Sequence, residues 1–411
     1  MVEHSMATIR STCRLCGGSQ IDTVLELKPT ALCDAYLTEV RAQERYPLNL
    51  CLCRGCGFVQ IDCVVDPEEI YRDYIFVTTS SSPLSQHFCE YTKDVLKRTN
   101  TLPESTVVDI GSNDGTLLKA FKQKGCSVIG IEPAREIARS ANSAGIKTIP
   151  EFFTPDIAAE ITSSFGHVDL VTVNNLFANV DDLDGFVGSV YSILKDGGYL
   201  VVESSYLKDM IDNMVFDFIY HEHLSYFSVT PLVQFFDKWG MTLVDVIPVE
   251  TKGGSLRYFI EKKKDSAKVT DQLRAMIESE KQSELDQART YQRFAQKIEE
   301  SKNALKRALE SYAKNATVGY GASATSTTLI EAFELQDDLG LLVDDFDAKQ
   351  GTYSPGTHIR VGSPEAIYGG DVEVVVILAW RYADQIMRNH KDFRGVFIIP
   401  LPELRVVSGN G

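Results

Sequence analysis

Nine residues beginning at Val107 constrain this chain more than any other stretch. Val107-Val108-Asp109-Ile110 is a short β-prone apolar run, and Gly111-Ser112-Asn113-Asp114-Gly115 is a turn bounded by glycines. A helical pattern, Thr116-Leu117-Leu118-Lys119-Ala120-Phe121, follows at once. Strand, glycine turn and helix form the ligand-binding corner of an open α/β sheet. Helix amides point at the turn there, and glycine lets a ligand come close to the backbone. A second apolar run from Ser127 to Ile131 ends in Glu132, whose carboxylate can accept from both hydroxyls of a ribose. The turn does not read G-x-G-x-x-G, and Asp109 stands on the strand, where no pyrophosphate needs a counter-charge. A nucleoside with a positive centre suits such a corner, and S-adenosylmethionine is one. An ordinary βα turn without a ligand has the same outline.

With 411 residues, two or three domains are expected. The net charge of −16 argues against non-specific binding to nucleic acid or to an anionic membrane. No run approaches the length of a membrane-spanning helix, and Met1-Val2-Glu3-His4-Ser5 lacks the basic-then-apolar order of a signal peptide. The cytoplasm is the expected compartment, and nothing in the sequence sets the number of subunits. Seven of the nine cysteines lie before residue 65. Cys13-Arg14-Leu15-Cys16-Gly17 and Cys53-Arg54-Gly55-Cys56-Gly57 form two knuckles, and the glycine after each relieves the turn that aims two sulfurs at one ion. Four thiolates suit tetrahedral structural Zn²⁺. Free thiols or a redox pair are the alternatives, and Cys51 competes with Cys53 as a ligand. Cys33, Cys51 and Cys63 otherwise read as small buried hydrophobes.

The whole reads as an α/β chain. A small N-terminal zinc-binding module (1–66) precedes a Rossmann-like S-adenosylmethionine methyltransferase domain (67–265). A helical connector (266–315) and a second, smaller Rossmann-like domain (316–411) follow. In the second part, Tyr71, Tyr74 and Phe76 precede a hydroxyl-rich run and either line a cleft or pack in a core. Phe152 either stacks on an adenine or packs. Asn174 and Asn175 form the polar tip of a strand, where doubly wound sheets bind ligands. Tyr220-His221-Glu222-His223 is the densest titratable cluster. His223 with Glu222 suits a general base, and Tyr220 suits a donor to an oxyanion. His221 and His223 on one face are the only hint of a second metal site, and no third ligand is apparent. Near the end, Gly319-Tyr320-Gly321-Ala322-Ser323-Ala324 fits G-x-G-x-x-A. That fingerprint leaves open an NAD(P)-dependent oxidoreductase or epimerase using the Gly319 turn.

The order of these motifs resembles the nucleotide-sugar C-3 methyltransferases of deoxysugar pathways, over nearly the whole chain. The resemblance implies methyl transfer from S-adenosylmethionine to C-3 of a dTDP-linked 4-keto-deoxysugar, through an enolate. It places Tyr220, Glu222 and His223 on the family's Y-x-E-H pattern, with His223 as base. Asp109, Gly111, Ser112, Asn113, Gly115, Glu132, Phe152, Asn174 and Asn175 would hold the cofactor. Tyr320, Gly321, Ser323 and Lys349 would bind the nucleotide. Cys13, Cys16, Cys53 and Cys56 would hold zinc. Two substrate-side positions depart from the family: Asn179 replaces a histidine and Phe76 a tyrosine. The final turn also lacks the usual proline and lysine. O- or N-methylation is the nearest variant of this reading.

Overall fold

The computed structural model describes residues 7–71, 82–263 and 268–409. Phe76, Tyr74 and the hydroxyl-rich run up to Ser81 lie outside the described residues. The predicted helix after them spans Ser82–Arg98.

A seven-stranded sheet fills the middle of the chain. Its spatial order is Thr242–Val249, Ser255–Glu261, Leu194–Ser205, Val168–Asn174, Thr106–Ile110, Ser127–Ile131 and Thr148–Ile149. The last five strands are parallel, and Ser255–Glu261 runs antiparallel to both its neighbours. Val107, Val108, Leu170, Val171 and Val173 are wholly buried, as a strand covered on both faces requires. Strand order reverses between Thr106–Ile110 and Val168–Asn174, which opens a crevice at their C-terminal ends. Gly111 turns out of the first of these strands at φ 76°, and a Cβ there would sit 3.1 Å from Leu176 Cδ1. The turn therefore needs glycine on both conformational and steric grounds.

The N-terminal part is antiparallel: Ile21–Thr30, Tyr46–Cys53 and Val59–Ile61 pair in sequence. A fourth strand, Ser225–Tyr226, comes from just after the Y-H-E-H cluster and pairs with Val59–Ile61. The cluster is thus tethered at its C-terminal side to the N-terminal sheet. In the C-terminal part, Val361–Gly362, Leu341–Val343, Thr317–Tyr320, Val374–Ile377 and Val396–Ile399 form a parallel sheet. An antiparallel edge strand, Arg405–Ser408, completes it and was not apparent in the sequence.

The predicted connector forms two helices, Asp271–Gln282 and Ala288–Leu309. The longer one buries Tyr291, Phe294, Ile298, Leu305 and Leu309 in one apolar core. That core also takes Leu48, Leu50 and Leu52 of the N-terminal sheet, Phe216 to Tyr226, and the C-terminal sheet. The shorter helix delivers the buried Glu280 to the start of helix Val229–Asp237. Its Oε1 accepts from Val229 N at 2.6 Å and Tyr206 Oη at 3.0 Å, and its Oε2 from Thr230 N at 2.8 Å. Ser228, at the cap position, makes no side-chain cap of its own. Glu280→Ala strips acceptors from buried amides, and should lower stability by about 2–4 kcal/mol. The check is the shift of the unfolding transition in urea.

Candidate functional site

Each C-x-x-C-G knuckle closes as its spacing predicts. Gly17 N donates to Cys13 O and Gly57 N to Cys53 O, both at 2.9 Å, with the glycines at φ 71° and 75°. The Sγ atoms of Cys13, Cys16, Cys53 and Cys56 lie within 4.8 Å of one another, and the pairs Cys13–Cys56 and Cys16–Cys53 are 3.6 Å apart. Four thiolates about 2.3 Å from a tetrahedral zinc lie about 3.8 Å apart, so the residues fit the ion. Cys51 instead faces Thr23 at 3.8 Å and stays out of the cluster.

Arg14 rides between the first two ligands and carries the zinc module into the interior. Its side chain is fully buried. Nη1 donates to Ile61 O at 2.6 Å and Leu224 O at 3.2 Å, and Nε donates to Asp181 at 2.9 Å. Leu224 directly follows His223, and Asp181 lies two residues beyond Asn179.

At the crevice lies a cavity of about 420 Å³. Asp109, Gly111, Ser112, Asn113, Glu132, Phe152, Asn174 and Asn175 line it, as does Asn179. Gly115 lies outside it and starts the helix Thr116–Gln123 in left-handed backbone. The Glu132 carboxylate is held by two backbone amides, Asn113 N on Oε2 and Ala134 N on Oε1, both at 2.9 Å. Each oxygen keeps a lone pair for a further donor. Ser112 Oγ, both amide atoms of Asn174 and Asn179 Oδ1 are buried without a hydrogen-bond partner among the described residues. A nucleoside would satisfy such orphaned groups. Asp109 accepts from Thr172 Oγ1 at 2.7 Å, and burial pushes its carboxyl up to about 7.

A much smaller cavity beside it holds His223, Phe218, Tyr206 and Tyr226. His223 Nδ1 lies 3.0 Å from Phe218 O. A carbonyl only accepts, so Nδ1 carries the proton, and Nε2 takes a hydrogen bond from Tyr220 Oη at 3.2 Å. The sequence suggested an imidazole titrating near neutrality. Instead burial, then the nearby Lys252 charge, pushes His223 down to about 3, so it is neutral, with its Nε2 lone pair held by the Tyr220 hydroxyl. The near-neutral groups are Glu222, raised to about 7 by burial and then Asp34, and Lys252, lowered to about 8 by burial. His221 turns away, with Nε2 3.1 Å from Pro47 O, so the two histidines do not share a metal. The four cysteines are the one metal-binding group found among the described residues.

A third cavity, of about 1020 Å³, separates the central and C-terminal sheets. His87, Glu203, Lys252, Trp380, Arg381, Tyr382 and Arg405 line it, none of which the sequence pointed to. The Gly253-Gly254 pair after Lys252 was the available signal. Arg381 donates to the buried Asp217 carboxylate at 2.9 and 3.0 Å and stacks on Phe218, tying the C-terminal part to the segment before His223.

Tyr320, Gly321, Ser323 and Lys349 line none of these three cavities. Tyr320 Oη is bound to Asp345 at 3.1 Å and His390 at 2.9 Å. Lys349 Nζ donates to Asp34 at 2.6 Å and Ala322 O at 2.7 Å. Ser323 caps helix Ala324–Phe333. The amide of Ala322, which a phosphate would seek, is taken by Asp344 at 2.6 Å. The G-x-G-x-x-A turn is therefore closed by a carboxylate, which opposes a pyrophosphate there.

Three family models match the chain in tandem: a zinc binding domain over 13–71, a methyltransferase domain over 84–246 and a C-methyltransferase C-terminal domain over 250–402. The C-methyltransferase NovU of Streptomyces niveus is 32% identical over 405 residues, spanning 96% of each chain. Among solved structures, magnesium protoporphyrin IX methyltransferase from Synechocystis with bound SAH is 14% identical. It covers 44% of this chain and 83% of that one, with a TM-score of 0.35. An S-adenosylmethionine-dependent methyltransferase from Clostridium acetobutylicum is 12% identical over 44% and 92%, with a TM-score of 0.34.

Cys16→Ser should lose the bound zinc, lower the thermal midpoint and, through Arg14, impair methyl transfer; metal analysis finding well under one zinc per wild-type chain would contradict the site. Asp109 bears on pH. Its folded value lies above the unfolded value of about 3.9. The stability it contributes is present below that value and lost as pH rises through about 7. Ligand-free Asp109→Asn should therefore be more stable than wild type at pH 8, with the gap closing toward pH 4, in paired thermal melts.

Proposed function

This chain belongs to the C-methyltransferases and depends on S-adenosylmethionine; on that premise we propose that it methylates C-3 of a dTDP-linked 4-keto-deoxysugar through an enolate. The observation that carries the reading is the shared wall of the cavities. Asn175 belongs to the cavity of the cofactor candidates, to the His223 cavity and to the large interdomain cavity. Cofactor, base and sugar can therefore meet at one point.

Bound in the first cavity, S-adenosylmethionine supplies an electrophilic methyl group on a sulfonium. Glu132, held by its two amides, accepts from the ribose hydroxyls, and Phe152 offers a face to the adenine. Asp109, Ser112, Asn113, Asn174 and Asn175 supply polar contacts, and Gly111 keeps the turn low. The interdomain cavity takes the nucleotide sugar, where Arg381 and Arg405, paired with Asp217 and Asp384 in the free chain, are the guanidinium groups that can donate to a diphosphate. Asn179, at the rim of the cofactor cavity, reaches the substrate side.

His223 takes the C-3 proton on Nε2. The Nδ1–H is fixed on Phe218 O, so the Tyr220 hydroxyl must turn from Nε2 toward the substrate to free that lone pair, and the Phe218 carbonyl then supports the imidazolium. Tyr220 orients the ring, and the Glu222 carboxyl balances the charge that His223 gains. The C–H electron pair becomes the enolate, whose carbon attacks the methyl group, and the proton leaves His223 for solvent. A base weakened by burial still serves, because the enolate forming beside it raises its proton affinity. The remaining requirement is alignment.

The test follows dTDP-4-keto-6-deoxyglucose in D₂O by NMR, with no methyl donor present. C-3 deuteration is expected in wild type, lost by about 100-fold in His223→Ala and retained in Asp109→Ala. A 4-ketone acidifies both flanking carbons, so deuteration at C-5 alone would move the methyl there. No deuteration at either carbon would sink the enolate reading and favour transfer to oxygen or nitrogen.

A further inference from the structure

Asn175 and Lys252 each line all three cavities. Both hold left-handed backbone, at φ 57° and 56°. Asparagine visits that region readily, whereas lysine does so only under strain, and such residues gather at functional sites. The turn around Lys252 is built to keep it there. Gly253 and Gly254 follow at φ 83° and 125°, and a Cβ on Gly254 would lie 2.4 Å from the Cβ of Asp209. The turn then feeds Ser255–Glu261, an inner strand of the central sheet, so its position is set by the sheet.

Lys252 is solvent-accessible in the free chain and lines the junction of the three cavities. Glu222 and Glu203 attract it and Arg381 repels it, yet no carboxylate among the described residues is within ion-pair distance. Glu203 is already claimed by His87 at 2.6 Å and Arg257 at 2.9 Å. The Tyr220 hydroxyl is engaged with His223 Nε2. Lys252 is therefore a cation at the junction without an ion-pair partner of its own in the described chain.

We propose that Lys252 is a catalytic residue, whose ammonium holds the sugar oxygen that becomes negative as the adjacent carbon loses its proton. The role rests on the C-methylation reading above. As the C–H bond breaks and its proton passes to His223, the electron pair forms the carbon–carbon double bond of the enolate. The carbonyl electrons move onto oxygen, where Lys252 stabilises them. When the carbon bonds to the methyl group, the carbonyl reforms, the sulfur–methyl pair returns to sulfur, and Lys252 is left as it began. A cation held in place by its backbone turn, with no carboxylate paired to it among the described residues, is the kind of group that acts on such charge.

Lys252→Gly isolates the role, because glycine suits φ 56° and removes the ammonium without backbone strain. Its thermal midpoint and its affinity for S-adenosylmethionine should match wild type or better. Deuteration of dTDP-4-keto-6-deoxyglucose in D₂O and methyl transfer should both fall by about 100-fold or more. Lys252→Arg, which keeps the charge, should recover a measurable part of both. Wild type exchanging while Lys252→Gly exchanges equally fast would overturn this role and leave the enolate reading standing. So would a Lys252→Gly protein that loses methyl transfer but keeps exchange. Wild type without exchange would remove the enolate reading, and this role with it.

Discussion

The buried guanidinium of Arg14 joins parts of this protein that are far apart in sequence. It sits inside the first cysteine knuckle and donates to the backbone at Ile61, to the backbone at Leu224 and to Asp181. Those bonds clamp the zinc module to the strand that follows His223 and to the loop after Asn179. Nε and Nη1 are met while Nη2 is buried without a partner among the described residues, so the bonds that are made hold these segments in one arrangement. The metal cluster, about forty residues wide in sequence, acts on the site through this side chain.

The site is organised by electrostatics in confined space. Burial raises Asp109 and Glu222 and lowers His223, so charge is expensive for these groups. Such a setting rewards a reaction in which charge forms between a base and a fixed cation. The glycine-lined turn at Lys252 and the closed, carboxylate-capped turn at Ala322 differ in this respect. The first presents its charge to a cavity and the second neutralises its own amide.

Much of the cofactor corner was legible because it is local. Asp109, Gly111, Asn113 and Glu132 lie on two consecutive βα units, and strand, turn and helix periodicity alone place them together. The cysteine knuckles were legible for the same reason, since two residues between ligands is a distance set by the chain itself. The surroundings of the C-terminal fingerprint were not legible. Gly321 packs against Ala379, and Asp344 fills the anion position, and neither contact is visible from spacing. The basicity of His223 was not legible, because burial and Lys252 set it and both come from packing.

What the sequence determined by itself is the alternation of strands and helices, the cysteine knuckles and the strand–turn–helix corner at Gly111. Each follows from short-range backbone preference or from ligands a few residues apart. Only the tertiary structure decided that the Y-H-E-H segment supplies a strand to the N-terminal sheet. Only it brought Asn175 and Lys252, 77 residues apart in sequence, to the junction of three cavities. Hydrophobic burial has no register of its own. Which distant loops meet is settled when Arg14, Glu280 and Asp217 find the donors and acceptors that let their charges leave water.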